Sequence, residues 1–82
     1  MHTVYILYSP SLDRYYVGYT NDIERRLSEH NRKKGKYTDQ GIPWELVYTE
    51  NYSTRKSAME RERFIKSRKS RNFIEHLING AV

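Results

Sequence analysis

The apolar residues of this chain alternate with polar ones in three short segments, which is the period-two pattern of β-strands. We predict strands over residues 2–8, 14–19 and 44–50. Successive side chains in a strand point to opposite faces, so Tyr5 lies on the face opposite Val4 and Ile6. In the second strand the same rule places Tyr16 and Gly18 on one face.

The segments around these strands predict how they are connected. Residues 9–13 contain Ser, Pro and Asp, which favour turns, so the first two strands form a hairpin. The third strand is expected to place Trp44, Leu46 and Tyr48 on one face. Residues 32–43 lack apolar periodicity and predict a surface loop, of a length that is often functional.

Three further segments have the longer period of α-helices. We predict helices over residues 22–31, 54–67 and 70–79. Ile23 and Leu27 are four residues apart and form the buried side of the first helix. Asn21 is the predicted cap of this helix, with Glu24 three residues later as in a capping box, and Ser70 is the predicted cap of the third.

This order of elements predicts the fold class. Strand, strand, helix, strand, helix, helix indicates a small α+β domain with a three-stranded antiparallel sheet flanked by helices. We assign residues 1–79 to this domain and residues 80–82 to a C-terminal tail. The sequence has no cysteine, no signal-peptide pattern and no apolar run that would span a membrane. We therefore expect a cytoplasmic protein without a membrane partner.

The charge of the chain favours a polyanionic partner. Lys and Arg number 15 against 10 Asp and Glu, a net charge of +5. The basic residues are concentrated in residues 32–36 and 61–71. Such blocks are typical of nucleic-acid binding, but they also occur on solvated surfaces of small proteins, and charge alone leaves both interpretations open.

Polar residues with catalytic potential meet where the second strand passes into the first helix. Arg26 and His30 lie on the edge of the helix face that carries Ile23 and Leu27. We expect them to point, with Tyr16 of the strand, towards the boundary between sheet and helix. A half-buried arginine of this kind is as often a structural salt-bridge partner.

A carboxylate interrupts the apolar side of the second predicted helix. Ala58, Glu62 and Ile65 lie on one side of that helix, whereas Glu60 points away. A buried carboxylate costs free energy unless it is paired. An arginine is the more common partner, and a divalent cation such as Mg²⁺ is the alternative that the pattern leaves open.

Together these residues resemble the GIY-YIG nuclease family. The motifs of that family match Thr3-Val4-Tyr5, Tyr16-Val17-Gly18, Arg26, His30 and Glu62, in that order. Thr3 replaces the first glycine of the family, at a position that contributes backbone and no reactive group. The resemblance covers about residues 2–79 and is strongest to the small stand-alone bacterial members of uncharacterised role.

The resemblance implies a metal-dependent endonuclease that hydrolyses phosphodiesters of DNA. We expect it to be directed by DNA structure rather than sequence, to act in DNA repair or processing, and to have weak intrinsic activity. Its implied catalytic residues are Tyr5, Tyr16, Arg26, His30 and Glu62. Glu62 would bind Mg²⁺ or Mn²⁺ and Arg26 would hold the phosphate.

For the proton transfers we favour Tyr5 as the base, Tyr16 positioning the phosphate and His30 relaying the proton. A free tyrosine has a pKa of about 10, so a base role requires nearby cations to lower it. Ordinary packing of strand tyrosines against a helix is the alternative for both residues.

The basic segments supply candidate contacts to the DNA backbone. The predicted nucleic-acid-binding residues are Lys33, Lys34, Lys36, Tyr37, Arg68, Lys69 and Arg71. We expect DNA as the partner, with an additional protein partner supplying specificity. A non-catalytic nucleic-acid-binding module on the same fold is the first alternative, and a protein-interaction domain with an incidental basic face is the second.

Overall fold

Three strands and three α-helices make up the residues that the computed structural model describes, 1–35 and 37–80. In chain order the elements are β1 His2–Ser9, β2 Arg14–Thr20, α1 Ile23–His30, a 3₁₀ turn Tyr37–Gly41, β3 Glu45–Tyr52, α2 Arg55–Arg68 and α3 Arg71–Ile78. The predicted fold class and element order are confirmed. Of the predicted tail, Gly80 follows α3, and residues 81–82 lie outside the described part.

β1 is the central strand of the sheet, whose order is β2-β1-β3 with both pairs antiparallel. With a neighbour on each edge and apolar packing on each face, residues 3–7 of β1 are all buried. Tyr5, in the middle of β1, lies opposite Gly18 on β2 and Thr49 on β3. A side chain at this point is held by the backbone of the whole sheet.

The two faces of the sheet bury two separate apolar clusters. On one face Val4 and Ile6 pack against Ala58 and Ile65 of α2. Several half-buried residues of α3 extend this cluster, among them Phe73, Ile74, Leu77 and Ile78. This larger core fixes α2 and α3 to the sheet.

The opposite face carries the smaller cluster and the helix α1. Tyr5, Leu7 and Trp44 are buried there, and Ile23 and Leu27 of α1 pack against them. The predicted alternation along β1 and the predicted apolar side of α1 are therefore confirmed. Tyr5 and the residues of α1 share this face.

The predicted cap of α1 is wrong by one residue, whereas that of α3 is confirmed. Asp22 is the cap of α1, and its carboxylate accepts a hydrogen bond from the Arg25 backbone N–H. Asn21 is exposed and lies outside the helix. Asp is as good a cap as Asn, so the shift leaves the helix in the predicted register. Ser70 caps α3 by accepting from the Phe73 N–H.

A β-bulge in β3 overturns the prediction that Trp44, Leu46 and Tyr48 share a face. Ile6 pairs with Tyr48, whereas the next residue, Leu7, pairs with Leu46. The extra residue, Val47, reverses the alternation, because one inserted residue moves every later side chain to the other face. Trp44 therefore packs with Tyr5, and Tyr48 packs on the α2 side.

The segment predicted as a surface loop, residues 32–43, is partly folded against the domain. Its second half forms the 3₁₀ turn, and Gly41 is buried beneath the Trp44 indole. A Cβ on Gly41 would lie 2.5 Å from the Trp44 ring, so the turn can approach this closely only because glycine has no side chain. The prediction missed this contact because it depends on a residue outside the loop.

The helix α2 is also connected to β3 by a charged pair. The Arg61 guanidinium donates to both carboxylate oxygens of Glu50, at 2.9 and 3.1 Å. The hydroxyls of Tyr48 and Tyr52 donate to the same carboxylate. Among the described residues no helix is both long and apolar enough to cross a membrane.

Candidate active site

The hydroxyl of Tyr5 is the centre of a polar cluster between the sheet and α1. Tyr5 is only 1% exposed. Its Oη accepts a hydrogen bond from Arg26 Nε at 3.3 Å and shares another with His30 Nε2 at 3.2 Å. Two residues predicted from α1 and one predicted from β1 therefore meet at a single oxygen atom.

Gly18 provides the space for this hydroxyl. The residue lies directly across the β1–β2 pair from Tyr5. A Cβ built on Gly18 would lie 2.6 Å from the Tyr5 Oη and 2.8 Å from Cζ, closer than unbonded atoms approach. Glycine therefore fits at the third position of the predicted Tyr16-Val17-Gly18 motif because a larger residue would clash with Tyr5, the tyrosine of the other motif.

Tyr16 completes the predicted arrangement on the same face. Its ring stacks against that of Tyr5, with centroids 6.3 Å apart and planes 22° from parallel. Its edge contacts the His30 ring at a centroid distance of 4.6 Å. Tyr16 is half-buried, so it is more accessible to a ligand than Tyr5.

The helix α1 presents Arg26 and His30 one turn apart. Arg26 also donates through Nη1 to Glu29 Oε1, at 3.2 Å, and its side chain is 42% exposed. The bonds to Tyr5 and Glu29 raise the pKa of Arg26 above its already high value. This guanidinium is therefore a permanent positive charge whose orientation is fixed and whose surface remains open to solvent.

Sequence reasoning did not find the part that Asn31 plays in this site. Its side-chain amide donates to the Trp44 carbonyl at 3.1 Å and accepts from the Trp44 N–H at 2.6 Å. Trp44 in turn lies against the rings of His30 and Tyr16. Asn31 thereby connects the end of α1 to the start of β3, and a lone asparagine after a helix carries no signal of such a long-range bond.

Burial sets the protonation of the two titratable groups at the centre. Burial raises the pKa of Tyr5 above 10.0, and its hydrogen bond from Arg26 offsets this only in part. The Arg26 guanidinium therefore does not bring the pKa of Tyr5 below its ordinary value, as a base role would require of nearby cations. Burial, followed by the charges of Arg26 and Lys34, lowers the pKa of His30 below 6.5, so His30 is neutral at pH 7.

The structure places Glu62 on α2, which packs on the opposite face of the sheet, and Glu62 makes no hydrogen bond or ion pair with the described residues of this cluster. Its side chain is 14% exposed, and Lys66 is its ion-pair partner at 3.2 Å, one turn along the helix. The negative charge of Glu62 contributes only weakly to the raised pKa of Tyr5, after burial and the charge of Tyr16. Arg61, the arginine next to Glu62 in the sequence, is paired with Glu50 instead.

The chemistry of Glu62 fits a hydrated divalent cation. No group of three or more His, Asp or Glu side chains capable of holding a metal ion occurs within residues 1–35 and 37–80. Mg²⁺ dehydrates reluctantly and is commonly bound through one or two carboxylates, waters and substrate phosphates. A single, largely shielded carboxylate such as Glu62 is compatible with that mode and unsuited to a fully enclosed protein site.

The predicted DNA-binding residues of the loop lie on an open surface. Lys33 and Lys34 are exposed, and Tyr37 is 60% exposed at the start of the 3₁₀ turn. The backbone N–H groups of Lys34 and Gly35 donate to the Asp39 carboxylate, at 2.9 and 2.6 Å, which shapes this basic segment. The fourth predicted residue, Lys36, lies outside the described residues.

The predicted DNA-binding residues near the turn between α2 and α3 differ in whether their side chains already contact other residues. Arg68 lies over the rings of Phe64 and Phe73, at 5.9 and 5.4 Å from the centroids. Arg71 is ion-paired with Asp13 at 2.7 Å. Lys69 is exposed and makes no ion pair within the part of the chain that the structure describes.

Comparison with known proteins shows the family of this chain. A family model of the GIY-YIG catalytic domain matches residues 1–75, so this chain belongs to the GIY-YIG family. Members of the family are generally endonucleases that bind nucleic acid and typically use divalent metal ions. The family resemblance found in the sequence is thereby confirmed.

Within the family the chain is similar to small stand-alone UPF0213 proteins. The UPF0213 protein of Natronomonas pharaonis is 46% identical over 67 residues, covering 80% of this chain and 78% of that protein. YazA of Bacillus subtilis, another UPF0213 protein, is 41% identical over 70 residues, covering 80% and 71%. The solution NMR structure of the UPF0213 protein BH0048 from Bacillus halodurans superposes with a TM-score of 0.60 at 37% identity, covering 98% of this chain and 84% of that one.

Proposed function

We propose that this chain is a metal-dependent endonuclease that hydrolyses phosphodiester bonds in DNA, directed by DNA structure rather than sequence. The observation that supports this most directly is the Tyr5 hydroxyl, held between Arg26 and His30 on the face that also carries Tyr16. A purely structural cluster has no need for a fixed, solvent-open guanidinium beside a neutral histidine. Family membership independently favours the same chemistry.

In this proposal Arg26 binds the scissile phosphate. A guanidinium offers several N–H donors in one plane, which match phosphate oxygens better than an ammonium does. Nε and Nη1 of Arg26 are held by Tyr5 and Glu29, so the group is oriented before the substrate arrives. Fixed donors stabilise the charge that develops on the phosphoryl oxygens without reorganisation in the transition state.

Tyr5 and His30 together accept the proton of the attacking water. Because Tyr5 keeps its proton at neutral pH, we assign its O–H as donor to the unprotonated Nε2 of His30. As the water oxygen bonds to phosphorus, the water proton moves to Tyr5 Oη and the tyrosine proton moves to Nε2. The bond from phosphorus to the leaving oxygen breaks, its electron pair stays on that oxygen, and the oxygen takes a proton from solvent. The neutral histidine thereby compensates for the raised pKa of the tyrosine.

Tyr16 and Glu62 are assigned supporting roles. The half-buried Tyr16, on the same face as Tyr5 and next to His30, positions the phosphate. Glu62 is the residue that would hold the Mg²⁺ or Mn²⁺ ion. When bound there, the cation supplies charge neutralisation for the leaving oxygen.

The basic surfaces provide affinity for the DNA backbone. The candidates are Lys33, Lys34, Lys36 and Tyr37 in the loop and Arg68, Lys69 and Arg71 near the α2–α3 turn. Contacts to phosphate position a protein on DNA but carry no sequence information. This is the reason to propose structure-directed cleavage, with DNA repair or processing as the cellular role and a protein partner as a source of further selectivity.

The test is a cleavage assay with nicked, branched, single-stranded and intact duplex DNA in Mg²⁺ or Mn²⁺. Wild type is compared with Arg26→Ala and with Arg25→Ala, which removes the same charge from the neighbouring, exposed position. We expect cleavage of at least one substrate, lost in Arg26→Ala by about 100-fold or more and retained in Arg25→Ala. Salt-sensitive DNA binding without any cleavage would favour the non-catalytic binding module instead.

A further inference from the structure

A groove of about 630 Å³ lies between the outer edge of β2 and the turn that joins α2 to α3. Its floor is apolar, formed by Val17, Ile65 and Ile74. Its rim is basic on balance, because Arg14, Lys66, Lys69 and Arg71 line it together with one carboxylate, Asp13, which is paired with Arg71. Ligand pockets are typically about 300–1,000 Å³, so this groove is large enough for a nucleotide.

The groove opens beside the candidate active site. Tyr16 lines it while its ring stacks on Tyr5 in that site. Lys66 also lines it and is ion-paired with Glu62 at 3.2 Å. The groove, whose apolar residues belong to the α2 side of the sheet, is therefore connected to the candidate site through Tyr16 at the edge of the sheet and through Lys66 on α2.

Two cations of the rim are not neutralised within the domain. Arg14 and Lys69 are exposed, and neither makes a hydrogen bond or an ion pair through its side chain with any other residue in the described ranges. Arg71, in contrast, is paired with Asp13 at 2.7 Å and with Glu75 at 3.2 Å. Arg14 and Lys69 are thus available for an anionic ligand.

The backbone at Lys69 adds a second reason to assign it a function. Lys69 ends α2 with φ +47° and ψ +39°, in the left-handed region that glycine or asparagine adopts more easily. A lysine at this position carries a conformational cost, and such costs concentrate at functional sites. The strained turn places an unpaired ammonium at the rim of the groove.

We propose that this groove binds an unpaired strand of the DNA substrate, with a base on the apolar floor and phosphates on Arg14 and Lys69. Single-stranded nucleic acid exposes both the flat faces of its bases and its phosphates, whereas a duplex hides the base faces by stacking. A groove that combines an apolar floor with a cationic rim matches the unpaired strand. The inference rests on DNA being the substrate of the neighbouring site, and it specifies the substrate class as DNA with a single-stranded arm.

The test measures binding without metal, so that it does not depend on cleavage. The probes are a fluorescent blunt hairpin duplex and the same duplex with a short oligo(dT) tail. We expect wild type to prefer the tailed probe by about tenfold, the scale of one stacked base. The double variant Arg14→Ala/Lys69→Ala should lose this preference, and its affinity for the tailed probe should depend less steeply on salt.

Two further variants control for charge and folding. Arg55→Ala/Lys56→Ala removes the same charge from the first turn of α2, outside the groove, and should keep the preference. Lys69→Gly removes the rim cation while relieving the left-handed backbone, so its melting temperature should not fall. Its loss of tail preference would therefore not reflect unfolding.

The outcomes separate this inference from the proposed function. The groove assignment would be overturned if wild type showed no preference for the tail, or if the preference survived in Arg14→Ala/Lys69→Ala. It would also be overturned if that double variant lost affinity equally for both probes. A tail preference that depends on Arg14 and Lys69 in a protein that cleaves nothing would support the groove and refute the nuclease. Cleavage of branched DNA without any tail preference would support the nuclease and refute the groove.

Discussion

The Tyr5 hydroxyl occupies the space that a side chain on Gly18 would require. A Cβ at that position would lie 2.6 Å from Tyr5 Oη and 2.8 Å from Cζ. The two residues are partners in the register of β1 and β2, so neither backbone can move without disturbing the sheet. The tyrosine of one motif and the glycine of the other are thus parts of one steric arrangement.

We predict that Gly18→Ala damages both folding and activity. The added methyl group must displace a ring that is 1% exposed, and such overpacking costs about 1–3 kcal/mol. Displacing Tyr5 also breaks its alignment with Arg26 and His30, so cleavage should fall by about 100-fold. Chemical denaturation and the cleavage assay measure the two effects.

The control for this prediction is Gly18→Ala combined with Tyr5→Phe, which removes the nearest atom of the clash. Part of the lost stability should return, because Oη is the atom at 2.6 Å, while activity stays low. A single variant Gly18→Ala with wild-type stability and activity would show that the ring has more freedom than this geometry allows.

The relationships within each element were predictable because they are local. Alternation places Tyr16 with Gly18 in β2 and separates Tyr5 from Val4 and Ile6 in β1, and a spacing of four residues places Arg26 with His30, whereas the register that pairs Tyr5 with Gly18 is seen only in the structure. Both rules depend only on strand and helix geometry. The packing of α1 on the face that carries Tyr5 brought the two sets together, as the apolar side of α1 indicated.

The features that the sequence did not reveal all depend on contacts between distant segments. Asn31 binds the backbone of Trp44 across the basic loop, whose path has no periodic signal. The bulge at Val47 is a single inserted residue, which leaves the composition of a strand unchanged. The raised pKa of Tyr5 results from burial, which appears only when the sheet and α1 are assembled.

A second prediction concerns the pH dependence that His30 introduces. The pKa of His30 is lower in the folded chain than its ordinary value of 6.5, so the unfolded chain binds the proton more readily. The contribution of neutral, buried His30 to the free energy of unfolding is fully present above pH 6.5. It is lost as the pH falls from there towards the pKa of His30 in the folded chain. Acid should also inactivate the enzyme, since a protonated Nε2 cannot accept the Tyr5 proton.

Thermal melts and cleavage rates between pH 5 and pH 8 test this, with His30→Gln as the variant. The variant should be less active at pH 8 and should lack the acid-dependent loss of stability that wild type shows. His76→Gln, on the exposed side of α3, is the control and should behave as wild type. An identical pH dependence of stability in wild type and His30→Gln would contradict the burial of a neutral histidine.

A third prediction compares the partly buried ion pair of Glu50 and Arg61 with the exposed pair of Asp13 and Arg71. Burial alone would raise the pKa of Glu50, but the hydrogen bonds from Arg61, Tyr48 and Tyr52 outweigh burial and hold it below its usual value. Glu50→Gln should destabilise the domain by about 2–3 kcal/mol, less than a fully buried pair because Arg61 is 28% exposed. Asp13→Asn, in a pair that is largely exposed, should cost less than about 1 kcal/mol.

The lowered pKa of Glu50 predicts how the difference in stability between wild type and Glu50→Gln changes with pH. A carboxylate with a lowered pKa stabilises the fold above its ordinary value of 4.5, and the stabilisation is lost as pH falls through the folded-state value. The melting curves of wild type and Glu50→Gln should therefore converge in acid. A constant difference down to low pH would mean that packing, rather than charge, accounts for the loss.

A fourth prediction concerns the basic loop. Replacing Lys33, Lys34 and Lys36 by Ala should weaken binding equally for DNA duplexes of unrelated sequence, because phosphate contacts carry no sequence information. Each lost phosphate contact reduces the slope of log affinity against log salt by about 0.9, so three contacts reduce it by about 2.7. Arg55→Ala/Lys56→Ala is the control, and a slope unchanged by the loop substitutions would show that these lysines are only solvated.

The fifth prediction is that Glu62→Gln abolishes cleavage but leaves the fold intact. The Glu62 carboxylate is only 14% exposed, and its ion-pair partner is Lys66, whose side chain is 53% exposed. Such a lysine can return to water when the carboxylate is lost, so stability should change by less than about 1 kcal/mol. A buried arginine left without its partner would instead cost about 3–5 kcal/mol.

Loss of the cation ligand should therefore appear in activity and in the response to metal. Cleavage should fall by about 100-fold or more, whereas Glu60→Gln, the same change on the exposed side of α2, should leave it unchanged. Mg²⁺ should raise the melting temperature of wild type and of Glu60→Gln, because a ligand of the folded state stabilises it, but not that of Glu62→Gln. The contrary result would be a large loss of stability in Glu62→Gln that does not depend on metal, together with no cleavage of any DNA substrate by wild type. Glu62 would then have a structural role, and the domain would bind nucleic acid without cleaving it.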